Sequence, residues 1–283
     1  MTTILFYSDE KYEYQAETLL KSFELNGKMN YNFLYYTIGF TSTIEFPNLV
    51  KKEWPVDEKI PRTNQRVDGV DRPIFEFYKP DICLDALEMY DNLLFMDVDM
   101  VISRRFDVGN ILNDKSYPLA ILSVFEYPFK LTNEPDGSIT IYNELALMEY
   151  YNVPKRSMWY TGVCFILFNR NCLDFIKEWR SMCKNEFLLQ KQVVYFPYPE
   201  ETPFNLCLWK RGVTENLGHA FVNTHKFSTI KLIEESDDII NCQIDPNNIY
   251  EFCYDSSKIM FYHGTKHKDE NEKIFEYFKQ RSV

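Results

Sequence analysis

The start of the chain alternates between strand-like and helix-like patterns, and this order limits the possible folds more than any other feature. Residues 3–8 (TILFYS) form an apolar run typical of a buried strand, and residues 31–39 (YNFLYYTIG) form a second one. Between them, residues 11–27 carry apolar side chains at helical spacing and end at a glycine. A strand, a helix and a second strand in this order predict a parallel sheet with right-handed connections.

The rest of the chain continues the alternation. Further strands are predicted at 93–96, 117–125 and 159–169, and helices at 74–91, 106–114, 172–185, 200–212 and 274–281. Residues 45–73 are rich in charge, proline and asparagine, which predicts a long surface excursion. The sequence contains no internal repeat and no obvious linker. We therefore expect an α/β fold in which helices flank a mixed, mainly parallel, Rossmann-like sheet, in a single domain over residues 1–283.

Composition and charge disfavour several classes of protein. The formal net charge of −11 argues against a general binder of nucleic-acid backbones. The first residues lack the features of a secretory signal, and no apolar run reaches the ~18 residues of a membrane span. The seven scattered cysteines favour reduced thiols and a cytoplasmic location. Residue usage poor in alanine and rich in Phe, Tyr, Asn, Ile and Lys fits an AT-rich microbial or viral genome.

Two carboxylates interrupt an apolar run in the middle of the chain. The strand predicted at 93–96 is followed by Asp97 and Asp99, with Val98 between them, and apolar residues then resume. Alternate residues at a strand end point to the same side, and ligands of open α/β sheets bind at this edge. The two carboxylates can therefore converge on a hard cation, Mn²⁺ or Mg²⁺. The alternative is a turn with two solvated aspartates.

A third metal ligand is expected from elsewhere in the chain, and His263 is the best candidate among the four histidines. It follows the apolar segment KIMFY and precedes GTKHK, where Lys266 and Lys268 are suited to a phosphate. The alternative is a loop histidine followed by solvated lysines.

These segments together resemble the GT-A glycosyltransferases, and most closely the family 8 enzymes that include glycogenin-like and bacterial galactosyltransferases. The segment YDNLLFMDVDMVI resembles the family's Asp-x-Asp motif, and other motifs follow in the family's order along nearly the whole chain. The resemblance implies a GT-A fold, with a nucleotide-sugar-binding half at 1–105 and an acceptor half at 106–283. It also implies a donor sugar carried on a nucleotide diphosphate, most commonly UDP.

The resemblance implies roles for individual residues. In LFYSDEKYEYQAETLLKS, Ser8, Asp9 and Tyr12 would lie near the base and ribose, with Tyr12 stacking on the base. Lys79, on the helix before the Asp-x-Asp motif, would approach the diphosphate. The other matching positions of the donor site are Asp97, Val98, Gly162, Asn205, Gly264, Lys266 and Lys268. His263 would be the third metal ligand beside Asp97 and Asp99, and one of the two lysines after it would bind the diphosphate.

The chain departs from the family pattern at two places that matter for chemistry. Tyr160 stands where the family prefers asparagine, and Glu200 and Glu201 stand where Asp-Gln is typical. Glu201 thus falls at the position facing the anomeric carbon, where a glutamate can stabilise an oxocarbenium-like centre or attack it. The resemblance implies retention of configuration, although an inverting route using Glu200 or Glu201 as base stays open. The alternative is structural: acidic residues at a helix start, with Thr202 as the cap.

The sequence therefore predicts a metal-dependent glycosyltransferase that moves a hexose or pentose to an acceptor hydroxyl, with Glu201, Glu200 and Asp99 as catalytic candidates. Acceptors still open are a glycan, a lipid-linked sugar, a protein, a small metabolite and, least favoured, a modified nucleic-acid base. Two other functions remain as alternatives. One is a catalytically silent sugar-nucleotide or glycan-binding module, and the other is a nucleotidyltransferase or phosphohydrolase using the Asp-x-Asp site.

Overall fold

The structure is a computed structural model of the chain. It describes residues 2–24, 31–60, 62–63, 72–73, 75–102, 115–123, 132–133, 139–140, 152–153, 160–184, 200–213, 215–217, 221–223, 230–236, 239–244 and 261–263. The helices predicted at 106–114 and 274–281 lie outside these residues.

The described residues include fifteen strands and four α-helices. The strands are β1 (Thr3–Ser8), β2 (Asn32–Ile38), β3 (Leu49–Trp54), β4 (Arg62–Thr63), β5 (Arg72–Pro73), β6 (Asn92–Met96), β7 (Met100–Ile102), β8 (Leu119–Ser123), β9 (Thr132–Asn133), β10 (Ile139–Thr140), β11 (Tyr160–Asn169), β12 (Phe221–Asn223), β13 (Ile230–Ser236), β14 (Ile239–Ile244) and β15 (Phe261–His263). The helices are α1 (Glu13–Ser22), α2 (Lys79–Met89), α3 (Leu173–Cys183) and α4 (Glu201–Lys210). A 3-10 turn precedes each of the first three, at Glu10–Tyr12, Phe75–Tyr78 and Arg170–Cys172.

The main sheet has six strands in the order β3-β2-β1-β6-β11-β8. Strand β2 pairs in parallel with both β1 and β3, whereas β11 and β8 are antiparallel. The sheet is therefore mixed, and the α/β class predicted from the sequence is confirmed. The strands β1, β2, β6 and β11 are almost wholly buried because their residues are apolar on both faces, as expected for the interior of such a sheet.

Strand β3 corrects the prediction of a surface excursion over 45–73. The segment LVKKEW forms the edge of the sheet, in register from Phe33↔Leu49 to Ile38↔Trp54. Its residues are only half-buried or exposed, and three of the six are charged. Charged residues are usual on an edge strand because they discourage pairing with other chains. The sequence pattern therefore looked like a loop.

The chain divides into two compact units, each built from non-consecutive segments. Unit 1 comprises Met1–Pro55, Leu94–Ile111 and Gly218–Val283, and unit 2 comprises Val56–Leu93 and Leu112–Leu217. The C-terminal segment thus belongs with the segment that carries Asp97 and Asp99, whereas the sequence division at residue 105 had assigned it to the other half. The assignment of the halves 1–105 and 106–283 to donor and acceptor stays a prediction.

Five cysteines have described side chains, and all five are free thiols in buried positions. Burial raises the pKa of each thiol concerned, to about 11 for Cys172 and further for Cys83, Cys183 and Cys207. These thiols are therefore protonated and behave as small apolar side chains. Among the helices of the described residues, none has the length and apolar character needed to cross a membrane.

Thr37 offers a test of packing at the carboxyl end of β2. Its side chain is 1% exposed, and no group in the described part of the chain forms a hydrogen bond with its hydroxyl. A buried hydroxyl without a partner is destabilising, and valine has nearly the same shape. We expect Thr37→Val to raise the free energy of unfolding by about 1 kcal/mol, measured by chemical denaturation.

The matched control is Thr18→Val. The Thr18 hydroxyl is also buried but donates to the Tyr14 carbonyl at 2.8 Å, so its loss should lower the free energy of unfolding by about 1 kcal/mol. Equal destabilisation by the two variants would contradict the assignment for Thr37.

Candidate functional site

In unit 1, the Asp-x-Asp segment forms a tight turn between two strands. Strand β6 ends at Met96, and the Asp97 carbonyl accepts a hydrogen bond from the Met100 amide at 3.2 Å. This i to i+3 bond is that of a β-turn, for which aspartate at the first position is favourable. Asp97, Val98 and Asp99 are half-buried, while the residues on either side are fully buried. The two carboxylates therefore lie in a turn that is flanked by buried apolar residues, and not at the end of a straight strand.

The C-terminal segment reaches this turn through backbone pairing. Strand β15 is antiparallel to β7, and His263 is the register partner of Met100, the residue directly after Asp99. Directly opposed residues in an antiparallel pair have Cα atoms about 4.5–5.5 Å apart. The backbone of His263 therefore lies beside the Asp97–Met100 turn, although His263 is far from the turn in the sequence.

The side chain of His263 and residues 264–268 lie outside what the structure describes. The predicted roles of Gly264, Lys266 and Lys268 therefore remain predictions. Among the side chains that are described, no three histidine, cysteine or acidic residues form a group that could hold a metal. The structure thus brings the three predicted metal ligands together at the level of the backbone.

Strand β7 is anchored by a residue of α1. The buried Ser22 hydroxyl accepts a hydrogen bond from the Ile102 amide at 3.0 Å and donates to the Leu19 carbonyl at 2.6 Å. Ser22 is the last residue of the segment LFYSDEKYEYQAETLLKS that resembles the family. Its hydrogen bond to the strand after the Asp-x-Asp turn could not be recognised from the sequence. Ser22 therefore fixes the strand that β15 pairs with.

At the carboxyl end of β1, the predicted base-binding residues have defined local partners. The Asp9 carboxylate accepts a hydrogen bond from the Tyr12 amide at 3.1 Å and so caps the 3-10 turn that leads into α1. Ser8 is buried, and its hydroxyl is 2.6 Å from that of Tyr35. Burial, the largest cause, raises the pKa of the Tyr35 phenol, which therefore remains neutral. Tyr12 is half-buried, with the Lys11 ammonium 5.4 Å from its ring centre.

In unit 2, Lys79 is almost completely buried at the start of α2. Its side chain is 2% exposed, and its ammonium donates to the Val163 carbonyl at 3.2 Å and to Glu200 Oε1 at 3.4 Å. The Glu200 side chain is 8% exposed. Two buried opposite charges stabilise each other only with good geometry and additional hydrogen bonds, and the Val163 carbonyl supplies one of these. The lysine predicted to approach a diphosphate is thus held in a buried ion pair.

Glu201, the predicted catalytic residue, is half-buried at the first position of α4. Its Oε1 accepts a hydrogen bond from the Val163 amide at 3.2 Å. Glu201 and Lys79 therefore bind the amide and the carbonyl of the same residue, Val163. The neighbouring Gly162 still pairs with Ile121 of β8, but the β11–β8 register shifts before Ile166. Val163 lies in this irregular stretch of the pairing, and its amide and carbonyl both bind side chains of other elements.

Asn205, one turn further along α4, binds the same strand. Its amide oxygen accepts from the Thr161 amide at 2.8 Å and from the Thr161 hydroxyl at 3.0 Å. Its amide nitrogen donates to the carbonyls of Thr161 and Glu201, each at 2.9 Å. Asn205 is fully buried and uses its donor and acceptor groups within unit 2. The asparagine predicted to line the donor site has a structural role at this position.

The start of α4 is fixed by Trp179 rather than by a capping side chain. The Trp179 indole donates to the Glu200 carbonyl at 2.8 Å, and no side chain caps the helix. The expectation that Thr202 is the cap is therefore wrong, because Thr202 is already within the first turn and buried. Sequence reasoning also missed Trp179, which the amphipathic pattern of α3 gave no reason to separate from ordinary core residues.

No family model matches the chain, and no curated protein matches it in sequence. Solved structures are similar to it over the whole length. One is an active-site mutant of LgtC in which glutamate replaces a glutamine; it is 15% identical with a TM-score of 0.58, and the match covers 100% of this chain and 95% of LgtC. Another is the galactosyltransferase LgtC in complex with donor and acceptor sugar analogues, at 13% identity, the same TM-score and the same coverage. This likeness confirms the predicted GT-A fold.

The contacts of Asn205 generate a stability prediction. We expect Asn205→Ala to lower the free energy of unfolding by about 2–4 kcal/mol, because it removes several buried hydrogen bonds and leaves the groups of Thr161 unpaired. Chemical denaturation of the purified protein measures this loss.

Asn169→Ala is the matched control, since Asn169 is also buried and its side-chain oxygen caps the turn before α3, accepting from the Asn171 amide at 2.9 Å and from the Cys172 thiol at 3.6 Å. Loss of a cap costs about 1 kcal/mol. A smaller effect of Asn205→Ala than of Asn169→Ala would contradict the role given to Asn205.

Proposed function

We propose that the chain is a metal-dependent glycosyltransferase that transfers a hexosyl or pentosyl group from a nucleotide diphosphate sugar, a UDP-sugar by resemblance, to an acceptor hydroxyl. The observation that carries the proposal is the pairing of β7 with β15, which sets the backbone of His263 beside the Asp97–Met100 turn. The fold shared with a galactosyltransferase supports the same conclusion.

The chemistry of the residues at the turn fits a hard divalent cation. Asp97 and Asp99 offer carboxylate oxygens from half-buried positions, and His263 adds an imidazole. Bound Mn²⁺ or Mg²⁺ would neutralise the charge that develops on the leaving diphosphate. These three residues are therefore the proposed ligands, and the cation is the proposed cofactor.

The donor nucleotide is proposed to lie at the carboxyl end of β1. Tyr12 has a half-buried ring that is suited to stacking on a base, and Ser8, Asp9 and Val98 are its proposed neighbours. Lys266 and Lys268 are proposed for the diphosphate, with Gly264 and Gly162 allowing close approach. Lys79 is a weaker candidate for the diphosphate because its ammonium would first have to leave Glu200 and the Val163 carbonyl.

Glu201 is proposed as the residue that faces the anomeric carbon. LgtC has been studied as an active-site mutant carrying glutamate in place of glutamine, and this chain has glutamate naturally where the family resemblance expects glutamine. In the covalent route, a Glu201 oxygen attacks the anomeric carbon while the bond to the diphosphate breaks, and the diphosphate leaves with the electron pair. The acceptor hydroxyl then displaces Glu201 and gives its proton to the diphosphate, which retains the configuration.

One observation favours the alternative of a catalytically silent sugar-nucleotide-binding module. Glu200 and Glu201 both have structural partners, Lys79 and the Val163 amide respectively, so neither glutamate is explained by catalysis alone. Binding of a donor without turnover would support this alternative. Consumption of a nucleoside triphosphate would instead support a nucleotidyltransferase.

The deciding experiment measures UDP-sugar hydrolysis and transfer with Mn²⁺ for the wild-type protein and for Asp99→Asn. We expect the variant to lose at least about 100-fold of the activity, because one anionic ligand of the cation is neutralised. We also expect Mn²⁺ to raise the melting temperature of the wild type but not of the variant.

Asp174→Asn is the control, because Asp174 is an exposed carboxylate in the first turn of α3. It should leave the activity and the Mn²⁺ response unchanged. A wild-type protein that neither binds nor hydrolyses any nucleotide sugar, and whose melting temperature Mn²⁺ leaves unchanged, would overturn the proposal.

A further inference from the structure

The two consecutive glutamates at the start of α4 are both linked to Val163 of β11, Glu201 directly and Glu200 through Lys79. Glu201 accepts the Val163 amide at 3.2 Å, while Lys79, paired with Glu200, donates to the Val163 carbonyl at 3.2 Å. Lys79, Glu200, Glu201 and Val163 thus form a closed ring of hydrogen bonds and one peptide link, which we call the Val163 clamp.

The Val163 clamp occupies an irregular part of the sheet. The pairing of β11 with β8 is regular up to Gly162 and resumes at Ile166, so Val163 lies in a bulge. Bulges redirect side chains and are frequent beside active sites. Both polar groups of the Val163 backbone are held in this stretch by the clamp, through bonds to Glu201 and Lys79.

Stability alone does not explain a buried lysine–glutamate pair at this place. An apolar pair of similar volume often stabilises a buried site as well or better, since neither charge then needs to leave water. The ion pair does fix the orientation of the Lys79 side chain, because its ammonium binds both the Glu200 carboxylate and the Val163 carbonyl. The consequence is that the Val163 amide, and the Glu201 carboxylate bound to it, are held in one position.

We propose that Lys79 is a positioning residue, which through Glu200 and the Val163 carbonyl sets the orientation of Glu201. This inference rests on the proposed function insofar as Glu201 acts on the donor sugar. The structural part, that Lys79 and Glu200 keep the Val163 amide bound to Glu201, does not depend on the reaction.

The test is a double-mutant cycle of Lys79→Met, Glu200→Gln and the double variant. Each single variant leaves one buried charge uncompensated and should lower the melting temperature, whereas the double variant has no buried charge and should regain most of it. Two further experiments are made on the wild type, both single variants and the double variant. One measures hydrogen exchange of the Val163 amide, and the other measures kcat and KM for the donor.

In the double variant we expect the Val163 amide to exchange faster than in the wild type, although global stability is restored. We also expect kcat to fall by about 100-fold with a smaller change in KM, because misplacing a reacting group by about 1 Å has this effect. Lys210→Met is the matched control, since Lys210 of α4 pairs with Glu178 of α3 at 2.6 Å but its side chain is far more exposed than that of Lys79. It should change neither the exchange rate nor kcat.

The outcomes separate the two proposals. A double variant that regains wild-type protection of the Val163 amide overturns the positioning role whether or not the protein is an enzyme. Faster exchange with wild-type kcat overturns the link from Lys79 to catalysis by Glu201. Absence of any activity in the wild type overturns the proposed function, and the exchange measurement still decides the structural part.

Discussion

The structure of unit 2 depends on how the buried peptide groups near the start of β11 are satisfied. A buried amide or carbonyl without a partner is costly, so every such group must find one. Asn205 and Glu201 on α4, together with Lys79 on α2, supply these partners between Thr161 and Val163. Side chains of α4 and α2 thereby supply hydrogen bonds to the backbone of β11. The first turn of α4 is fixed at the same time by the bond from Trp179 to the Glu200 carbonyl.

The Asp97–Met100 turn in unit 1 is held by a different principle. Its two aspartates are half-buried, and it is held between strands, β7 being bound to Ser22 of α1 and paired with β15. Backbone hydrogen bonds thus fix the position of the turn, whereas side chains fix that of β11 in unit 2.

The sequence predicted the buried elements well and the polar contacts poorly. Strands β1, β2, β6 and β11 and the four helices were found because apolar periodicity reports burial directly. Strand β3 was missed because an edge strand carries the charges of a loop. The ion pair of Lys79 with Glu200, 121 positions away, had no local signal at all. His263 was expected beside the Asp-x-Asp segment from metal chemistry and from the order of family motifs, but the pairing of β15 with β7 was not predicted, since register between distant segments leaves no trace in composition.

The Val163 clamp does not by itself require a glutamate rather than a glutamine at position 201. The bond from the Val163 amide needs only an acceptor, and a glutamine carbonyl would accept it as well as a carboxylate oxygen does. The anchor to β11 therefore does not explain the charge. The two side chains differ in their other terminal atom, which is a hydrogen-bond donor in glutamine and a nucleophilic, anionic oxygen in glutamate. The bond to the Val163 amide therefore does not distinguish glutamate from glutamine, and the choice of glutamate bears on the proposed function rather than on this anchor.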